Sequence, residues 1–450
     1  MGGAWRVARL VLLGLVPLPG GAAAAALLPS APGTLRRRAA PGSVQMASDD
    51  RPISALLDVA LTACQDMTEL IEAVYKQLNT KEPGASVLKE DKSFFSLADG
   101  VVQALLMRLL RGRVGAVVGE EDEASISIEG DGPFRAAEIE APAALEPMII
   151  KLRARMDALA STIPPSETLA ALTAFIDPID GTREFCTELG EQCSICVGFA
   201  DGAGQAVGGL VYRPLCAQRS WALGCQREGT CRSELRTPET ALRTPETALR
   251  TPETALRAPE TALRTPETAP DVGAFLCSNG GTSRFLQAVQ AELGYATYPA
   301  GGAGNKALLV LELPTAVYIQ DRGVSRWDSC AAQAVLEAHG GVFSRLDTVA
   351  APAPDAPASE ASDTTIAAAS LARYTYAKGS VNSVFVPLQS MLTKYNARPG
   401  VPTGGLAASA EQFKPYANVC GLFALSAAAD TASIAAAVRR VAREVPPSYD

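Results

Sequence analysis

The chain has 450 residues, enough for roughly two to three domains with cores of their own, which excludes a small disulfide-stapled peptide. Its 48 acidic residues outnumber 40 Lys and Arg, and the formal charge of −8 argues against nucleic acid as the partner and favours a small molecule. The chain has a single histidine, His339, which argues against zinc sites built on two or three imidazoles and against nearly all His-based nucleophilic triads.

The first 48 residues predict a targeting segment. They contain no Asp or Glu, carry five arginines, and hold an apolar stretch from Leu10 to Val16 that is followed by an alanine-rich run. The apolar stretch fits a signal peptide and is too short to span a membrane. Residues 36–48 are acid-free and rich in arginine and small residues, which fits a transit peptide behind the signal. We therefore expect delivery to an organelle, a plastid reached through a bipartite leader, with the secretory pathway as the alternative.

The predicted elements of the mature chain begin near Asp49. Apolar residues at helical spacing predict helices over Ile53–Leu78 and Ala98–Leu110. β-Branched runs predict strands within Arg113–Asp122 and Thr173–Asp180, and each of these segments ends in carboxylates. No run approaches the about 20 apolar residues that a spanning helix requires, so the sequence predicts no membrane span.

A seven-residue unit, Arg-Thr-Pro-Glu-Thr-Ala-Leu with small variations, recurs five times between Arg236 and Pro270. The proline in every unit would interrupt a helix once per repeat, so a coiled coil is not expected. The composition predicts an exposed, largely disordered insertion without a function of its own, with a docking role as the alternative. The insertion separates an N-terminal part, 49–235, from a C-terminal part, 271–398.

Residues 399–450 are expected to form a tail beyond these parts. Within it, Thr431–Val445 predicts one amphipathic helix with Arg439, Arg440 and Arg443 on its solvent side. The expected role of this helix is packing, and docking to a membrane or a partner is the alternative.

The thiols and the histidine predict no chemistry. Cys193 and Cys196 form a CxxC pair, but they lie in an apolar strand-like run in which residues three apart point to opposite faces. We expect buried structural thiols, with redox control through this pair as a minor alternative. His339 precedes two glycines at the predicted end of a helix, where an imidazole is an ordinary cap.

Four short segments carry the chemical signal. They are Gly119–Asp122, Asp177–Thr182, Gly301–Lys306 and Trp327–Ala331. Their carboxylates are hard oxygen ligands in a chain with one histidine, which points to Mg²⁺ rather than to zinc or a soft metal. The four candidate ligands are Glu120, Asp177, Asp180 and Asp328. Taken alone, Glu120 and Glu121 are typical of a solvated turn and Asp328 of a helix N-cap, but the four segments together favour a metal site.

The spacing within Asp177–Thr182 has a chemical reason. Pro178 stiffens a turn at the strand end, so that two carboxylates and the Ile179 carbonyl can converge on ions a few ångströms apart. Gly181 and Thr182 follow with bare backbone donors and a hydroxyl, as phosphate oxygens require. Two ions about 3.5–4 Å apart would activate a water and stabilise the attacking and leaving oxygens, which predicts hydrolysis of a phosphomonoester.

In this order, the four segments resemble the inositol monophosphatase superfamily of Mg²⁺-dependent, lithium-sensitive phosphatases, over about Ile53 to Tyr395. The resemblance implies an α/β protein with a layered αβαβα fold, in which an α+β N-terminal part and an α/β C-terminal part enclose the site. It also implies a small phosphorylated substrate and two or three Mg²⁺ ions. The sequence does not specify an oligomeric state.

The resemblance also assigns roles to individual residues. Glu120, Asp177 and the Ile179 carbonyl match ligands of a first metal, and Asp177, Asp180 and Asp328 match ligands of a second. Glu121 matches an acid that ligates a metal or lies beside its ligands. Thr182 matches the hydroxyl that orients the attacking water, and Thr182, Glu120 and Asp180 are the expected catalytic residues. The expected substrate contacts are Gly181, Thr182, Gly304 and Lys306. Lys306 would contact a second phosphate, and a solvated lysine at a helix start is the alternative.

Two branches of the superfamily share features with this chain. Leu97–Gln103, Trp327–Ala332 and Ala377–Gly379 resemble inositol polyphosphate 1-phosphatase, which implies inositol 1,4-bisphosphate and 1,3,4-trisphosphate as substrates. Gly181–Phe185 and Gly301–Lys306 resemble 3′(2′),5′-bisphosphate nucleotidase. We favour the 1-phosphatase because its matches lie in three separate segments.

One departure from the family pattern bears on activity. Where the family has an Asp three residues before Ser96, this chain has Ser93, and Asp91 is an acid that could substitute. In relatives, that Asp supports a third metal and the attacking water, together with the counterpart of Thr182. A catalytically weak homologue that binds metal and phosphate without turnover is therefore a second hypothesis.

Overall fold

The computed structural model describes residues 51–79, 86–88, 94–121, 123, 126–136, 139–241, 273–351, 371–377, 417–418 and 420–448. The predicted targeting segment, Asp91, Ser93 and the repeats after the first unit lie outside the described residues.

The secondary structure follows the chain in this order. The helices are α1 (Pro52–Asn79), α2 (Leu97–Leu110), α3 (Glu146–Thr162), α4 (Glu167–Ala170), α5 (Thr182–Phe185), α6 (Pro238–Ala241), α7 (Arg284–Leu293), α8 (Ala303–Glu312), α9 (Arg326–Ala338), α10 (Leu346–Ala350) and α11 (Thr431–Glu444). The strands are β1 (Ser86–Leu88), β2 (Phe94–Ser96), β3 (Ala116–Gly119), β4 (Ile126–Ser127), β5 (Arg135–Ala136), β6 (Ile139–Glu140), β7 (Thr173–Asp180), β8 (Ser194–Ala200), β9 (Ala206–Arg213), β10 (Ser220–Cys225), β11 (Thr230–Glu234), β12 (Ala274–Cys277), β13 (Ala296–Pro299), β14 (Val317–Gln320), β15 (Val324–Ser325), β16 (Val342–Arg345), β17 (Ala417–Asn418) and β18 (Leu422–Leu425).

A six-stranded sheet has the strand order β11-β10-β9-β8-β7-β3. Neighbouring strands are antiparallel except β3 and β7, which run parallel with Ala116 opposite Thr173 and Gly119 opposite Ile176. Because parallel neighbours end at the same edge, the residues that follow β3 meet those at the end of β7. The strand predicted over Thr173–Asp180 is confirmed with these bounds.

Helices α1 and α2 cover one face of this sheet. The periodic apolar residues of α1 are buried, and the two helices predicted from this periodicity are confirmed within one residue at each end. The first backbone amides of α1, on Ile53 and Ser54, donate to the carboxylate of Glu228 at 3.0 and 2.7 Å. Glu228 lies in the turn between β10 and β11, so the sheet supplies the acidic cap that the first turn of α1 lacks.

Helices α8 and α9 lie between the two large sheets. Gly198, Gly209 and Gly224 of the six-stranded sheet face α9, and a Cβ on Gly198 would lie 2.5 Å from the backbone nitrogen of Ala331. Since ordinary contacts start near 3.4 Å, a side chain would force the helix away. The glycines therefore set how closely α9, and with it Asp328, approaches the sheet.

The second large sheet has the strand order β13-β12-β14-β18-β16. Strands β13, β12 and β14 are parallel, and β18 is antiparallel to both of its neighbours. Helices α7, α10 and α11 pack on the outer face of this sheet around Phe275, Ile319 and Phe423. The described residues thus form five layers: α1 and α2, the six-stranded sheet, α8 and α9, the five-stranded sheet, and α7, α10 and α11. This order confirms the expected αβαβα architecture.

The region after residue 399 contributes two strands, β17 and β18, as well as the expected helix. Strand β18 is buried and lies between β14 and β16. The helix predicted over Thr431–Val445 is confirmed as α11, but its expected solvent face is wrong at one position. The side chain of Arg439 is buried, whereas Arg440 and Arg443 are exposed. Among the helices that the structure describes, none is both long and apolar enough to cross a bilayer.

The first repeat unit begins inside the fold. The Arg236 side chain is 10% exposed and forms an ion pair with Glu312, the last residue of α8. Ala241 is buried, and its carbonyl accepts a hydrogen bond from the Tyr298 hydroxyl. The prediction of an exposed insertion is therefore wrong for Arg236 and Ala241, whereas Thr237, Glu239 and Thr240 are exposed, and the later units lie outside the described residues.

Candidate active site

A cavity of about 430 Å³ opens at the edge where β3 and β7 end. Most of the predicted site residues line it, and they are Glu120, Asp177, Ile179, Asp180, Gly181, Thr182, Lys306 and Asp328. The two exceptions are Glu121 and Gly304. All four sequence segments therefore reach the cavity. The segment Gly301–Lys306 does so through Lys306 and through the start of α8.

A β-bulge in β7 turns Asp177 and Asp180 toward the same side. Asp177 lies opposite Cys196 of β8, and Asp180 lies opposite Ser194, so three steps along β7 face two along β8. In a regular strand, residues three apart point to opposite faces, and the extra residue restores a common direction. The bulge includes Pro178, which has no amide hydrogen to donate to the ladder.

Asp177 lies within the acidic cluster of the cavity. Its side chain is buried, and its Oδ1 has no hydrogen-bond partner. Burial raises the pKa of Asp177 well above its ordinary value, and the negative charges of Glu120, Asp180 and Asp328 raise it further. A divalent cation would supply the missing partner and offset this repulsion.

Asp180 is oriented by the start of α8. Its Oδ1 accepts the backbone N–H of Ala303 at 2.8 Å, and its Oδ2 accepts the N–H of Gly304 at 2.7 Å and the Ser194 hydroxyl at 2.8 Å. Burial raises the pKa of Asp180, and these hydrogen bonds oppose the rise. Gly304 thus supports a carboxylate from behind, instead of lining the cavity as a substrate contact.

Two glycines of the loop before α8 lie close to acidic side chains. A Cβ on Gly301 would lie 2.3 Å from the Glu184 carboxyl carbon. Gly302 has a φ of +64°, and a Cβ there would lie 2.8 Å from Asp180 Oδ2. The positive φ and the close approach at Gly302, the N-cap of α8, let the amides of the helix reach Asp180.

Glu120 and Glu121 follow β3 and have different surroundings. The N–H of Glu120 donates to the Ile176 carbonyl at 3.2 Å, which continues the pairing of β3 with β7 toward Asp177. The backbone N–H and C=O of Glu121 both bond to the Gln103 side-chain amide at 2.8 Å. Glu120 is the acid that this turn presents to the cavity.

Asp328 is the third residue of α9 and not its N-cap. The helix begins at Arg326, and Ser325 is the N-cap. Asp328 Oδ2 accepts the N–H of Ser325 at 2.8 Å in a capping box. The same carboxylate lines the cavity, so capping and site roles coexist in one residue.

The structure adds Asp99, an acid to which the sequence analysis gave no role. Thr182 Oγ1 lies 3.3 Å from Asp99 Oδ1 and 3.1 Å from the Ile179 carbonyl oxygen. Asp99 is fully buried, and its Oδ2 accepts the N–H and the hydroxyl of Ser96 at 2.9 and 2.6 Å. Its sequence signal is a Ser-x-x-Asp capping pattern, which indicates a helix start and not a site. The Thr182 hydroxyl therefore has a carboxylate neighbour, Asp99, although the acid that relatives have at the position of Ser93 is missing.

Lys306 is buried under the cavity surface. Its side chain is 5% exposed, its Nζ donates to the Ala300 carbonyl at 3.3 Å, and it lies 4.9 Å from the centre of the Tyr318 ring. Burial lowers the pKa of Lys306, and the charges of Asp180 and Glu184 oppose the change. The alternative of an ordinary solvated lysine is therefore wrong.

Two arginines that the sequence analysis missed also line the cavity. Arg183 follows Thr182 at the start of α5, and Arg322 follows β14, and both are exposed. Arginine at a strand or helix end has no sequence signature of its own, so their convergence becomes visible only in the folded chain. They add their positive charge to that of Lys306, in a cavity whose other charged residues are carboxylates.

Cys193, Cys196 and His339 have the structural roles expected from the sequence. Both thiols are free and buried, and burial raises the pKa of each, which disfavours the reactive thiolate. His339 ends α9, its Nδ1 lies 2.8 Å from the Val335 carbonyl oxygen, and burial lowers its pKa.

The donor set of the cavity fits Mg²⁺. It consists of hard carboxylate oxygens and the Ile179 carbonyl, with the buried Asp177 Oδ1 lacking a partner. In the part of the chain that the structure describes, no three His, Cys, Asp or Glu side chains already form a ligand cluster. Since a carboxylate oxygen has two lone-pair sites, Asp180 Oδ1 keeps one for a cation beyond its bond to α8.

Comparison with known proteins agrees with these features. A model described as the inositol monophosphatase family matches residues 53–378. The chain is 26% identical over 178 residues to the Drosophila melanogaster protein "Putative inositol monophosphatase 3", covering 39% of this chain and 42% of that protein. It is 25% identical over 203 residues to the Golgi-resident adenosine 3′,5′-bisphosphate 3′-phosphatase of Mus musculus, covering 42% of this chain and 47% of that protein.

The chain thus spans somewhat less than half the length of these relatives. Among solved structures, CysQ from Bacteroides thetaiotaomicron, described as a bacterial member of the inositol monophosphatase family, is 18% identical with a TM-score of 0.39, over 65% of this chain and 88% of that one. Because the family model matches well over half of the sequence, the chain belongs to the inositol monophosphatase family.

Proposed function

We propose that the protein is a Mg²⁺-dependent phosphomonoesterase that removes one phosphate from a small bisphosphorylated substrate by attack of water. The observation that carries this proposal is one cavity in which the acidic cluster around Asp177 meets the Asp99–Thr182 pair. Membership of the inositol monophosphatase family supports the same reaction.

The acidic residues of the cavity would hold the cation. The candidate ligands are Glu120, Asp177, the Ile179 carbonyl, Asp180 and Asp328. Bound there, Mg²⁺ would activate water and neutralise charge on the phosphate oxygens. Without a cation, the carboxylates of the cavity would repel an anionic substrate, so binding of metal and of phosphate should be coupled.

Thr182 and Asp99 are placed to handle the proton of the attacking water. The Thr182 hydroxyl has one hydrogen, and donating it to Asp99 Oδ1 leaves its lone pairs to accept a hydrogen bond from water. As the water oxygen forms its bond to phosphorus, a proton passes from the water to Thr182 while the Thr182 proton passes to Asp99. The bond from phosphorus to the leaving oxygen breaks in the same step, the leaving oxygen takes a proton from solvent water, and Asp99 returns its proton to solvent. The buried position of Asp99 keeps this carboxylate in a fixed orientation.

Two substrate classes are candidates for the site. Inositol 1,4-bisphosphate is favoured by the resemblance of three sequence segments to inositol polyphosphate 1-phosphatase. Adenosine 3′,5′-bisphosphate is favoured by the segments Gly181–Phe185 and Gly301–Lys306, and by the similarity to the mouse adenosine 3′,5′-bisphosphate 3′-phosphatase. In either case, the exposed Arg183 and Arg322 supply positive charge for a second phosphate group.

Measuring phosphate release by the full chain tests the proposed function and distinguishes the two substrate classes. The two bisphosphates and the corresponding monophosphates are compared with Mg²⁺, with and without lithium. We expect release from one bisphosphate at a rate well above its monophosphate. No Mg²⁺-dependent release from any of the substrates would contradict the proposal.

The alternative proposal of a weak homologue rests on Ser93 and has its own test. If Ser93 has cost the protein its chemistry, Ser93→Asp should raise the rate of phosphate release sharply. The contact between Asp99 and Thr182 favours the hypothesis of an active enzyme. Under that hypothesis, Ser93→Asp should change the rate of phosphate release little.

The leader is proposed to carry the protein to a plastid, on the composition of residues 1–48. A fluorescent protein fused behind these residues should enter that organelle in a cell with complex plastids. Accumulation in the secretory pathway would favour the alternative.

A further inference from the structure

A buried network of two arginines and one glutamate lies behind α8. Arg213, the last residue of β9, and Glu312, the last residue of α8, have fully buried side chains, and Arg213 Nη1 lies 2.6 Å from Glu312 Oε1. Arg236 donates Nη2 to Glu312 Oε2 at 2.9 Å and its backbone N–H to Oε1 at 3.1 Å. Glu312 is thus neutralised by one cation from β9 and one from the segment between β11 and α6.

Arg213 contacts both ends of α8. Besides Glu312 at the C-terminal end, it donates Nε to Asn305 Oδ1 at 2.8 Å and Nη2 to the Asn305 carbonyl at 2.9 Å. The Asn305 side chain in turn donates to the Gly301 carbonyl at 2.9 Å, in the loop that leads into the helix. The guanidinium therefore fixes the helix along its axis and fixes the loop before it.

The start of the same helix orients Asp180. The N–H groups of Ala303 and Gly304 donate to the two oxygens of this carboxylate. A continuous series of hydrogen bonds and ion pairs therefore runs from Arg236 through Glu312, Arg213 and α8 to Asp180. A shift of α8 would move the groups that hold Asp180.

The chemistry of the network suits a positioning role better than a stabilising one. Two guanidiniums and a carboxylate lose their hydration on burial, and a buried ion pair is often no more stabilising than an apolar replacement. The planar fork of arginine fixes its partners in orientation, which lysine cannot do. The network therefore fixes the position of α8.

We propose that Arg236, Glu312 and Arg213 are positioning residues of the active site, and that Arg236 connects the first repeat unit to the carboxylate of Asp180. The inference rests on the proposed function for its catalytic meaning, but the positioning of α8 can be measured without turnover.

Hydrogen–deuterium exchange of the full chain tests the positioning directly. Peptides that cover 300–312 are followed in wild type, Arg236→Ala, Arg236→Lys and a matched control, Arg345→Ala. Arg345 is a half-buried arginine that pairs with Asp347 at the end of β16, and it belongs to a different ion pair. We expect exchange in these peptides to be about tenfold faster in Arg236→Ala, unchanged in Arg345→Ala, and intermediate in Arg236→Lys.

A second readout connects the network to the acidic cluster. The concentration of Mg²⁺ alone that gives half of the maximal thermal stabilisation should rise several-fold in Arg236→Ala and stay at the wild-type value in Arg345→Ala. Unchanged exchange over 300–312 in Arg236→Ala, or equal acceleration in both alanine variants, would overturn the proposal. Phosphate release by the wild type is measured separately, so failure of the proposed function is distinguishable from failure of the positioning role.

Discussion

Gly198→Ala should push α9 away from the six-stranded sheet. The added Cβ would lie 2.5 Å from the Ala331 nitrogen and 2.7 Å from Cys330 Cβ, and ordinary contact begins near 3.4 Å. The nearest atom is backbone, which no rotamer change can remove. The helix must therefore retreat by about 0.9 Å, the difference between 3.4 and 2.5 Å.

This displacement has two measurable consequences. Overpacking of a closely packed interface costs about 1–3 kcal/mol, so the free energy of unfolding should fall by that amount in urea denaturation. Ala331 is one turn from Asp328, so the carboxylate moves with the helix, and a displacement near 1 Å at a catalytic group can cost about 100-fold in rate. Phosphate release should therefore fall more than the loss of stability alone would explain.

Gly202→Ala is the matched control for Gly198→Ala. Gly202 lies in the turn after β8, and a Cβ there would meet nothing within 4 Å. Its stability and rate should match the wild type or improve slightly. If Gly198→Ala is as stable and as active as Gly202→Ala, the close packing of α9 on the sheet does not position Asp328.

Further variants test the site and its surroundings. Thr182→Val should lower kcat by about 10²–10⁴-fold, whereas Thr182→Ser should keep activity, since the hydroxyl is the working group; similar kinetics for the two variants would contradict its role. Because the folded pKa of Asp177 is raised, its contribution to the stability of the metal-free protein is present below the ordinary carboxyl value of 3.8 and is lost as the pH rises. In thermal denaturation with a chelator, Asp177→Asn should therefore be more stable than wild type at neutral pH, and parallel pH curves would refute this sign. Burial alone would raise the pKa of Glu312, but Arg213 and Arg236 outweigh it and lower the pKa, so its contribution is present above 4.5 and lost as the pH falls further. Glu312→Gln should cost about 3–5 kcal/mol at pH 7 and show a shallower loss of stability in acid, and an unchanged acid limb would contradict it.

Local sequence patterns predicted much of the fold and of the site. The periodicity of α1 and α2 predicted their bounds because their apolar faces pack directly on a sheet. Asp177 and Asp180 could be paired from sequence because Pro178 between them interrupts regular strand geometry. The structure has a bulge within β7 instead of the expected turn, and this bulge appears only in the pairing with β8.

Contacts between distant segments could not be predicted in the same way. Asp99 has the signature of a helix cap, and its partner Thr182 lies 83 residues away. The composition of the repeats predicted exposure, but Arg236 meets a buried counter-charge 76 residues further along the chain. The contact of Gly304 with Asp180 could not be predicted either, because the Gly304 amide reaches this carboxylate only when α8 packs beside β7.

The metal dependence of phosphate release tests the central claim most directly. Wild type and Asp177→Asn are titrated with Mg²⁺ in the presence of inositol 1,4-bisphosphate and, separately, adenosine 3′,5′-bisphosphate. The account predicts release by the wild type that saturates with Mg²⁺ on one of the two substrates, and release at background by the Asn variant while it remains folded. Equal, Mg²⁺-dependent release by both proteins would show that Asp177 and the acidic cluster around it do not form the catalytic site.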